Sequence, residues 1–282
     1  MKNFFKQEKW RILITLIYTI SVVGILGVLF GYVSAWWLLG AYVWSKIIQT
    51  IGHTIGLHRY FSHHSFDTTR TWEKIMAYTS ILMGIGSPIQ YARNHRFHHR
   101  KVDTSDDIHS PLNDGKLFTA FGLWAFHDVN WFMKKGTESV RDLMNNPMLR
   151  VINNWYYPIW YTLIALTLLI NWKITVYCLM LPSFIFHVEM NTGVNMACHI
   201  WGYQNYKGKD DSKNNKWVSM WLQGEGFHNN HHAKPHLYDC AVKKDEFDFC
   251  GWFIDKFMAV DGKHTKAGKI RIDWNLVSIL TK

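Results

Sequence analysis

Nine histidines and one asparagine, in four groups, could do chemistry in this 282-residue chain: His58-x4-His63, His95-x2-His98-His99, Asn195-x3-His199 and His228-x2-His231-His232. A neutral imidazole is a borderline-soft ligand that suits iron, zinc, copper or nickel better than magnesium or calcium. Nine such ligands are too many for one ion. The pattern predicts a pair of transition-metal ions, of a kind that activates dioxygen.

The spacings carry geometry, because residues three and four apart share one face of an α-helix. His95, His98 and His99 can point one way, as can His228, His231 and His232, and Asn195 lies one turn before His199. His58 and His63 do not fit: five residues at about 100° each leave them roughly 140° apart on an ideal helix. They serve different metals, or the helix there is distorted.

The ligand chemistry narrows the metal. Carboxylate-bridged di-iron bundles use a Glu-x-x-His motif from each of two helices plus further Glu ligands, whereas these clusters hold nine histidines and a single such sequence, Glu225-x-x-His228. Structural zinc takes four ligands and catalytic zinc normally three. Nine histidines divided over two ions give four or five each, which favours redox iron with room for dioxygen or water.

These groups need a scaffold, and apolar runs supply one. Residues 11–33, 35–57, 155–172 and 174–194 are each close to the roughly 20 residues that a membrane-spanning helix needs. The mean hydropathy of −0.11 conceals that segregation. The stretch 75–91 is broken by Gly84, Gly86 and Pro88 and is expected to lie at the membrane interface, with a fifth span as the alternative. Four spans put every histidine cluster on one side, whereas five would separate the first cluster from the second.

Charge orients the bundle. The net charge is +10, with Lys2, Lys6, Lys9 and Arg11 before the first run and Arg93, Arg96, Arg100, Lys101, Lys134, Lys135, Arg141 and Arg150 in the long connection. The positive-inside rule assigns that side, with both termini and the clusters, to the cytoplasm. The first run is not expected to be a cleaved signal peptide, since a second follows at once. The expected fold is an all-α integral membrane protein, a single domain over 1–282, with four transmembrane helices and a helical cytosolic cap (58–154 and 195–282) holding a histidine-rich di-iron site. Cys178, Cys198, Cys240 and Cys250 form no CxxC pair, so nothing demands a disulfide or zinc ribbon. No basic-aromatic platform stands apart from the spans, which argues against nucleic acid.

With these residues assembled, the chain resembles the membrane fatty acyl desaturases of the stearoyl-CoA desaturase type and their bacterial acyl-lipid relatives. The likeness rests on Gly56-Leu-His58-Arg59-Tyr-Phe-Ser-His63, Arg93-Asn-His95-Arg-Phe-His98-His99 and Gly224-Glu-Gly-Phe-His228-Asn-Asn-His231-His232. Asp106-Asp-Ile-His109-Ser-Pro, Asn195-Met-Ala-Cys-His199 and the tail Phe249 to Met258 extend it. The resemblance implies that His58, His63, His95, His98, His99, His199, His228, His231 and His232 bind two Fe ions, and that Asn195 reaches a metal through water. It assigns Arg93 and Asn94 to the substrate's polar end. It further implies O2 as co-substrate, removal of two neighbouring hydrogens at a Δ9-type position, and a long-chain acyl-CoA or acyl-lipid substrate. Two electrons would come from a separate donor of the ferredoxin or cytochrome b5 type, since the chain has no room for a fused one. The alternatives are a hydroxylase on the same scaffold and a non-catalytic metal transporter or sensor.

Glu225, Asp103, Asp106 and Asp107 are the candidates to orient ligating imidazoles from behind. His53 is expected to be structural or to support a ligand, His109 to shape its loop, and His64, His127, His236 and His264 to lie on the surface. Cys198 is expected to pack rather than to bind metal. His187 and Glu189, in the fourth run, should face the bundle or pair with each other. Lys46, in the second, should snorkel to the interface.

Overall fold

The computed structural model describes residues 2–107, 109–113, 115–123, 137–208 and 210–260, and every regular element among them is helical. His127, His264, Lys134 and Lys135 lie outside the described residues. Helix α1 (Lys2–Leu29) turns at Gly31, whose φ of 78° glycine adopts without steric cost. Helix α2 (Trp36–Ile48) then passes without a break into a π-helical segment, Gln49–Ser62. The Ser62 hydroxyl donates to the carbonyl of Leu57 at 2.7 Å, taking up a carbonyl five residues back as the turn widens.

Helix α3 (Arg70–Ile81), started by the Thr69 side chain accepting from Trp72 N–H, packs on that π segment. The two backbones meet at Gly52, where a Cβ would stand 2.9 Å from the carbonyl of Thr79. Gly84 and Gly86, at φ 70° and 103°, then reverse the chain. Ser87 and Gln90 form a capping box over Pro88 and start helix α4 (Pro88–Lys101), which carries the HxxHH sequence. The stretch 75–91 is thus divided between α3 and α4. At 12 residues, α3 is about 18 Å long and too short to be a fifth span.

Helix α5 (Pro147–Ile170) opens on an Asn146 cap, and Asn171 turns it into helix α6 (Trp172–Ile200), which contains two further π segments, Thr175–Met180 and Met190–Ala197. Among the described residues, two helices, Lys9–Leu29 and Trp172–Ile200, are long and apolar enough to cross a membrane. The other two expected spans fold as the α2 helix with its π segment and as α5, which bury polar side chains such as Gln49, Thr50 and His53 or carry Asn153 and Asn154. The core joins all of these: Leu13, Ile17, Ile81, Tyr156, Trp160 and Met180 are buried together, and Trp160 Nε1 donates to Ile81 O at 2.7 Å.

One expectation within the bundle is corrected, and of the two alternatives for His187 and Glu189 it is the first, facing the bundle, that holds. Lys46 does not snorkel: its Nζ lies 2.5 Å from Glu189 Oε2 on α6, with the Tyr42 and Trp221 rings each 5.3 Å away. A carboxylate across the helix pair is within direct reach, and the two rings flank the cation. Glu189 is therefore partnered by Lys46 rather than His187, whose Nε2 meets Met83 O at 3.2 Å.

The remaining chain forms short capped helices around the site. Helix α7 (Lys216–Trp221) starts on Asn215, α8 (His228–Ala233) carries the last histidines, and α9 (Phe249–Phe253) starts on Asp248 and continues as the π segment Ile254–Met258.

Candidate metal centre

The π segment resolves the misfit of His58 and His63. With about one extra residue per turn, a spacing of five returns to the same face, and the two rings stand 5.3 Å apart, centre to centre. The α4 histidines approach from one side and the α8 histidines from another. The result is a group of five, His58, His63, His95, His99 and His231, whose ligand atoms lie within 4.8 Å of one another. A second group joins His98, His199 and His228 within the same limit. One HxxHH helix therefore feeds both groups: α4 gives His95 and His99 to the first and His98 to the second, while α8 gives His231 to the first and His228 to the second.

The nitrogens of the first group form a chain of short contacts: His63 Nε2 to His95 Nε2 at 2.8 Å, His95 to His99 at 3.0 Å, His99 to His231 at 3.0 Å, and His231 to His58 at 2.9 Å. Hydrogen bonds alone cannot account for them. A neutral imidazole nitrogen carries either one lone pair or one hydrogen, yet His95, His99 and His231 each face two partners through a single nitrogen. Ligands at right angles about a metal, each about 2.1 Å from it, stand about 3.0 Å apart. The contacts fit lone pairs converging on one cation.

Electrostatics agree. Burial first, and then the neighbouring imidazoles, push His63, His95, His99, His228, His231 and His232 well below the usual histidine range. Those rings are held neutral, the form that binds metal.

Carboxylates stand behind four of the nine rings. His58 Nδ1 lies 2.8 Å from Glu225 Oε2, His98 Nδ1 2.9 Å from Asp107 Oδ1, His199 Nδ1 3.2 Å from Asp103 Oδ1, and His232 Nδ1 3.4 Å from Asp210 Oδ2. Each contact uses Nδ1 and leaves Nε2 for the interior. His232 Nε2 is buried and has no hydrogen-bond partner, an atom that a cation in the second group would satisfy. Burial would raise the Glu225 carboxyl, but His58 and the Arg59 guanidinium outweigh it and hold it at about 2. Asp103 and Asp107 are likewise held below the usual range, burial being outweighed by His199 and His98.

The other expected site residues fall around this centre. Asp106 sits 3.6 Å from Lys101, and its neighbour Asp107 meets His98 in its place. Asn195 Nδ2 donates to Asn191 Oδ1 at 2.9 Å. Arg93 Nε donates to Asn94 Oδ1 at 3.3 Å, on the helix that carries His95. His109 packs against His98, the two rings tilted by 39° with centres 4.3 Å apart. His53 Nε2 meets the Tyr91 hydroxyl at 2.9 Å, and the Tyr91 ring lies nearly parallel to His95. Cys198 is buried with its Sγ toward Gly226 O, and His64 and His236 are exposed.

The fatty acid desaturase family pattern matches residues 34–242, a stretch that contains all nine histidines and Asn195. The chain belongs to the fatty acid desaturase family. It is 33% identical over 250 residues to a probable chloroplastic lipid desaturase of Arabidopsis thaliana, covering 86% of this chain and 66% of that protein. It is 31% identical over 229 residues to the chloroplastic palmitoyl-monogalactosyldiacylglycerol delta-7 desaturase of the same plant, covering 76% and 57%. With its delta-9 acyl-lipid desaturase 2 the identity is 28% over 272 residues, covering 93% and 85%. The chain thus spans two thirds or less of the length of the first two relatives.

Three residues of this site carry no signal in the spacing. Arg59 is buried, and its Nη1 donates to Asp248 Oδ2 at 2.7 Å and to Tyr238 O at 2.6 Å, while Nη2 lies 3.4 Å from Glu225 Oε1. Asp248 and Asp210 reach the centre from loops distant in sequence. For Arg59 alone a sign existed: a guanidinium next to a ligand, within a segment otherwise rich in buried positions, needs anionic partners.

Proposed function

We propose that the chain is an O2-dependent fatty acyl desaturase that introduces a cis double bond, of the Δ9 type, into a saturated long-chain acyl-CoA or acyl-lipid. The observation that carries this reading is the convergence of two buried histidine groups, backed by four carboxylates, in a chain of this family. Two Fe ions are the proposed cofactor, held by His58, His63, His95, His99 and His231 on one side and by His98, His199, His228 and His232 on the other, with Asn195 near the second. Iron bound there supplies the one-electron chemistry that reduction of O2 to water requires.

The protein's own part is positioning. Glu225, Asp103, Asp107 and Asp210 fix the tilt of four imidazoles, so their Nε2 atoms face inward without having to reorganise. Arg93 and Asn94, at the start of the α4 histidine run, hold the polar end of the substrate. A long apolar tail then has only to present one methylene pair to the centre, and binding energy along the tail limits its motion.

The same reading makes the chain a single membrane domain over 1–282. Leu29, Phe30, Leu169 and Ile170 are exposed and apolar at the turns opposite the histidines, which favours burial in lipid of α2 and α5 beside the two clear spans. The histidine face then lies on the cytoplasmic side with the basic connection, where a separate ferredoxin- or cytochrome b5-type donor delivers two electrons per turnover.

Expression in a host that makes no unsaturated chains, with metal quantification of the purified protein and fatty-acid analysis of the cells, tests the proposal. New cis-monoenes and two irons per chain are expected. Hydroxylated chains without alkenes would transfer the reading to a hydroxylase, and labile zinc with no oxygen consumption would end it.

A further inference from the structure

Helix α8 is six residues long, yet it supplies both histidine groups, and between His228 and His231 stand Asn229 and Asn230. Every polar atom of Asn230 is used. Its backbone N–H donates to Asn214 Oδ1 at 3.1 Å, its Oδ1 accepts from Asn214 Nδ2 at 2.8 Å and Asn205 Nδ2 at 2.9 Å, and its Nδ2 donates to Cys240 O at 2.8 Å and Glu246 Oε2 at 3.0 Å. Glu246 is itself a buried carboxylate. Its Oε1 accepts from the Tyr203 hydroxyl at 2.6 Å and Asn205 Nδ2 at 2.7 Å, and its Oε2 also accepts from the backbone of Val242 at 2.7 Å and Lys243 at 3.0 Å. Asn229 is tied as firmly, accepting from the backbones of Asn205 and Tyr206 and donating to Tyr206 O, each at 2.9 Å.

A helix this short has no stability of its own, because nucleation alone outweighs the bonds it forms. Its position must come from these anchors. The carboxylates described above each act on one ligand, whereas Asn230 lies between ligands of different groups. A satisfied buried polar network specifies one arrangement, and a broken one leaves unpaired groups in its place.

We propose that Asn230 and Glu246 are positioning residues that fix the two metal groups relative to each other, through the placement of α8. The proposal rests on the two-metal reading above. It goes beyond it by assigning joint control of both groups to residues that touch neither metal.

The test is a Co2+ titration of the full-length, metal-free protein in detergent, read by the visible absorption of bound cobalt, which reports ligand geometry rather than global stability. Wild type is expected to take up two ions in two resolvable steps. Glu225→Gln should weaken only one step and Asp107→Asn only the other. Asn230→Ala should weaken both together by about ten- to a hundredfold and shift both absorption bands, the scale typical for groups that orient ligands. Glu246→Gln, which keeps the side chain's shape, should do the same and covers the case in which Asn230→Ala does not fold. Wild-type affinities and bands in the Glu246 variant, or a change in one step alone, would overturn the proposal. A wild type that binds fewer than two Co2+ would instead overturn the two-metal reading.

Discussion

Glu225 Oε2 lies 2.8 Å from His58 Nδ1, in a pair that is almost wholly buried. The carboxylate's other oxygen turns to Arg59 at 3.4 Å, so one side chain is shared between a ligand and a cation. Glu225→Gln keeps the shape but removes the charge that holds the imidazole. Metal affinity at the His58 group is expected to fall about ten- to a hundredfold, with folding retained because Asp248 still pairs with Arg59. Iron content measured after dialysis against a chelator checks this; content equal to wild type would remove Glu225 from the site.

Arg59 and Asp248 form the second relationship. Asp248 Oδ2 accepts from Arg59 at 2.7 Å and from Cys240 N at 2.8 Å, and its Oδ1 accepts from Gly251 N at 2.9 Å, all in a buried setting. Removing one partner of such a pair strands the other charge, at a cost of about 3–5 kcal/mol. Asp248→Ala also frees two backbone donors. Its unfolding temperature in detergent should drop steeply, and Arg59→Met with Asp248→Leu together should recover part of the loss. A single variant as stable as wild type would mean that water reaches Arg59.

Within the first group, His99 Nε2 touches both His95 and His231, whereas His64, one residue beyond His63, is exposed. His99→Ala is expected to lower bound iron by about one ion per chain and to abolish double-bond formation, while His64→Ala leaves both intact. Iron quantification and fatty-acid analysis on the same preparations separate the two. Activity surviving in His99→Ala would break the five-ligand assignment.

Gly224 precedes Glu225 at φ 113°, and a Cβ there would collide with Asp248 Oδ1 and stand 3.0 Å from Arg59 Nη2. Both the backbone and the space exclude any other residue. Gly224→Ala should therefore displace Glu225 and Asp248 together, reducing folded yield and metal content alike. Normal yield and metal content in that variant would show that the loop can relax.

The grouping of the histidines was legible because metal binding demands particular side chains at helical spacing, and those demands survive in sequence. The all-helical fold was legible for similar local reasons, as was the break of the stretch 75–91 at Gly84, Gly86 and Pro88. The shared face of His58 and His63 was not, since a π segment differs from an α-helix by one residue per turn and leaves no compositional mark. Neither was the choice of Asp107 over Asp106, because adjacent acids in a loop differ only in the direction the backbone gives them. Asp210 is 22 positions from the ring it supports, and no periodicity spans such a gap. Lys46 was misread because a lone cation in an apolar run says nothing of the carboxylate on another helix.

That pair supports the last prediction. Lys46 on α2 and Glu189 on α6 meet at 2.5 Å, Trp221 Nε1 donates to Glu189 Oε1 at 2.9 Å, and Thr50, at the start of the π segment that continues α2, donates to Gln223 Oε1 at 2.8 Å. The helix pair is thereby tied to the segment that leads through Gly224 into Glu225. Lys46→Met alone leaves Glu189 charged and poorly solvated, and Glu189→Leu alone does the same to Lys46. Each is expected to destabilise by several kcal/mol, but the double variant should lose less than either, since a buried ion pair replaced by apolar groups of like volume is often neutral. A double-mutant cycle on unfolding in detergent measures the coupling. Strict additivity would show that each group is solvated independently and that the helices are held together by apolar packing alone.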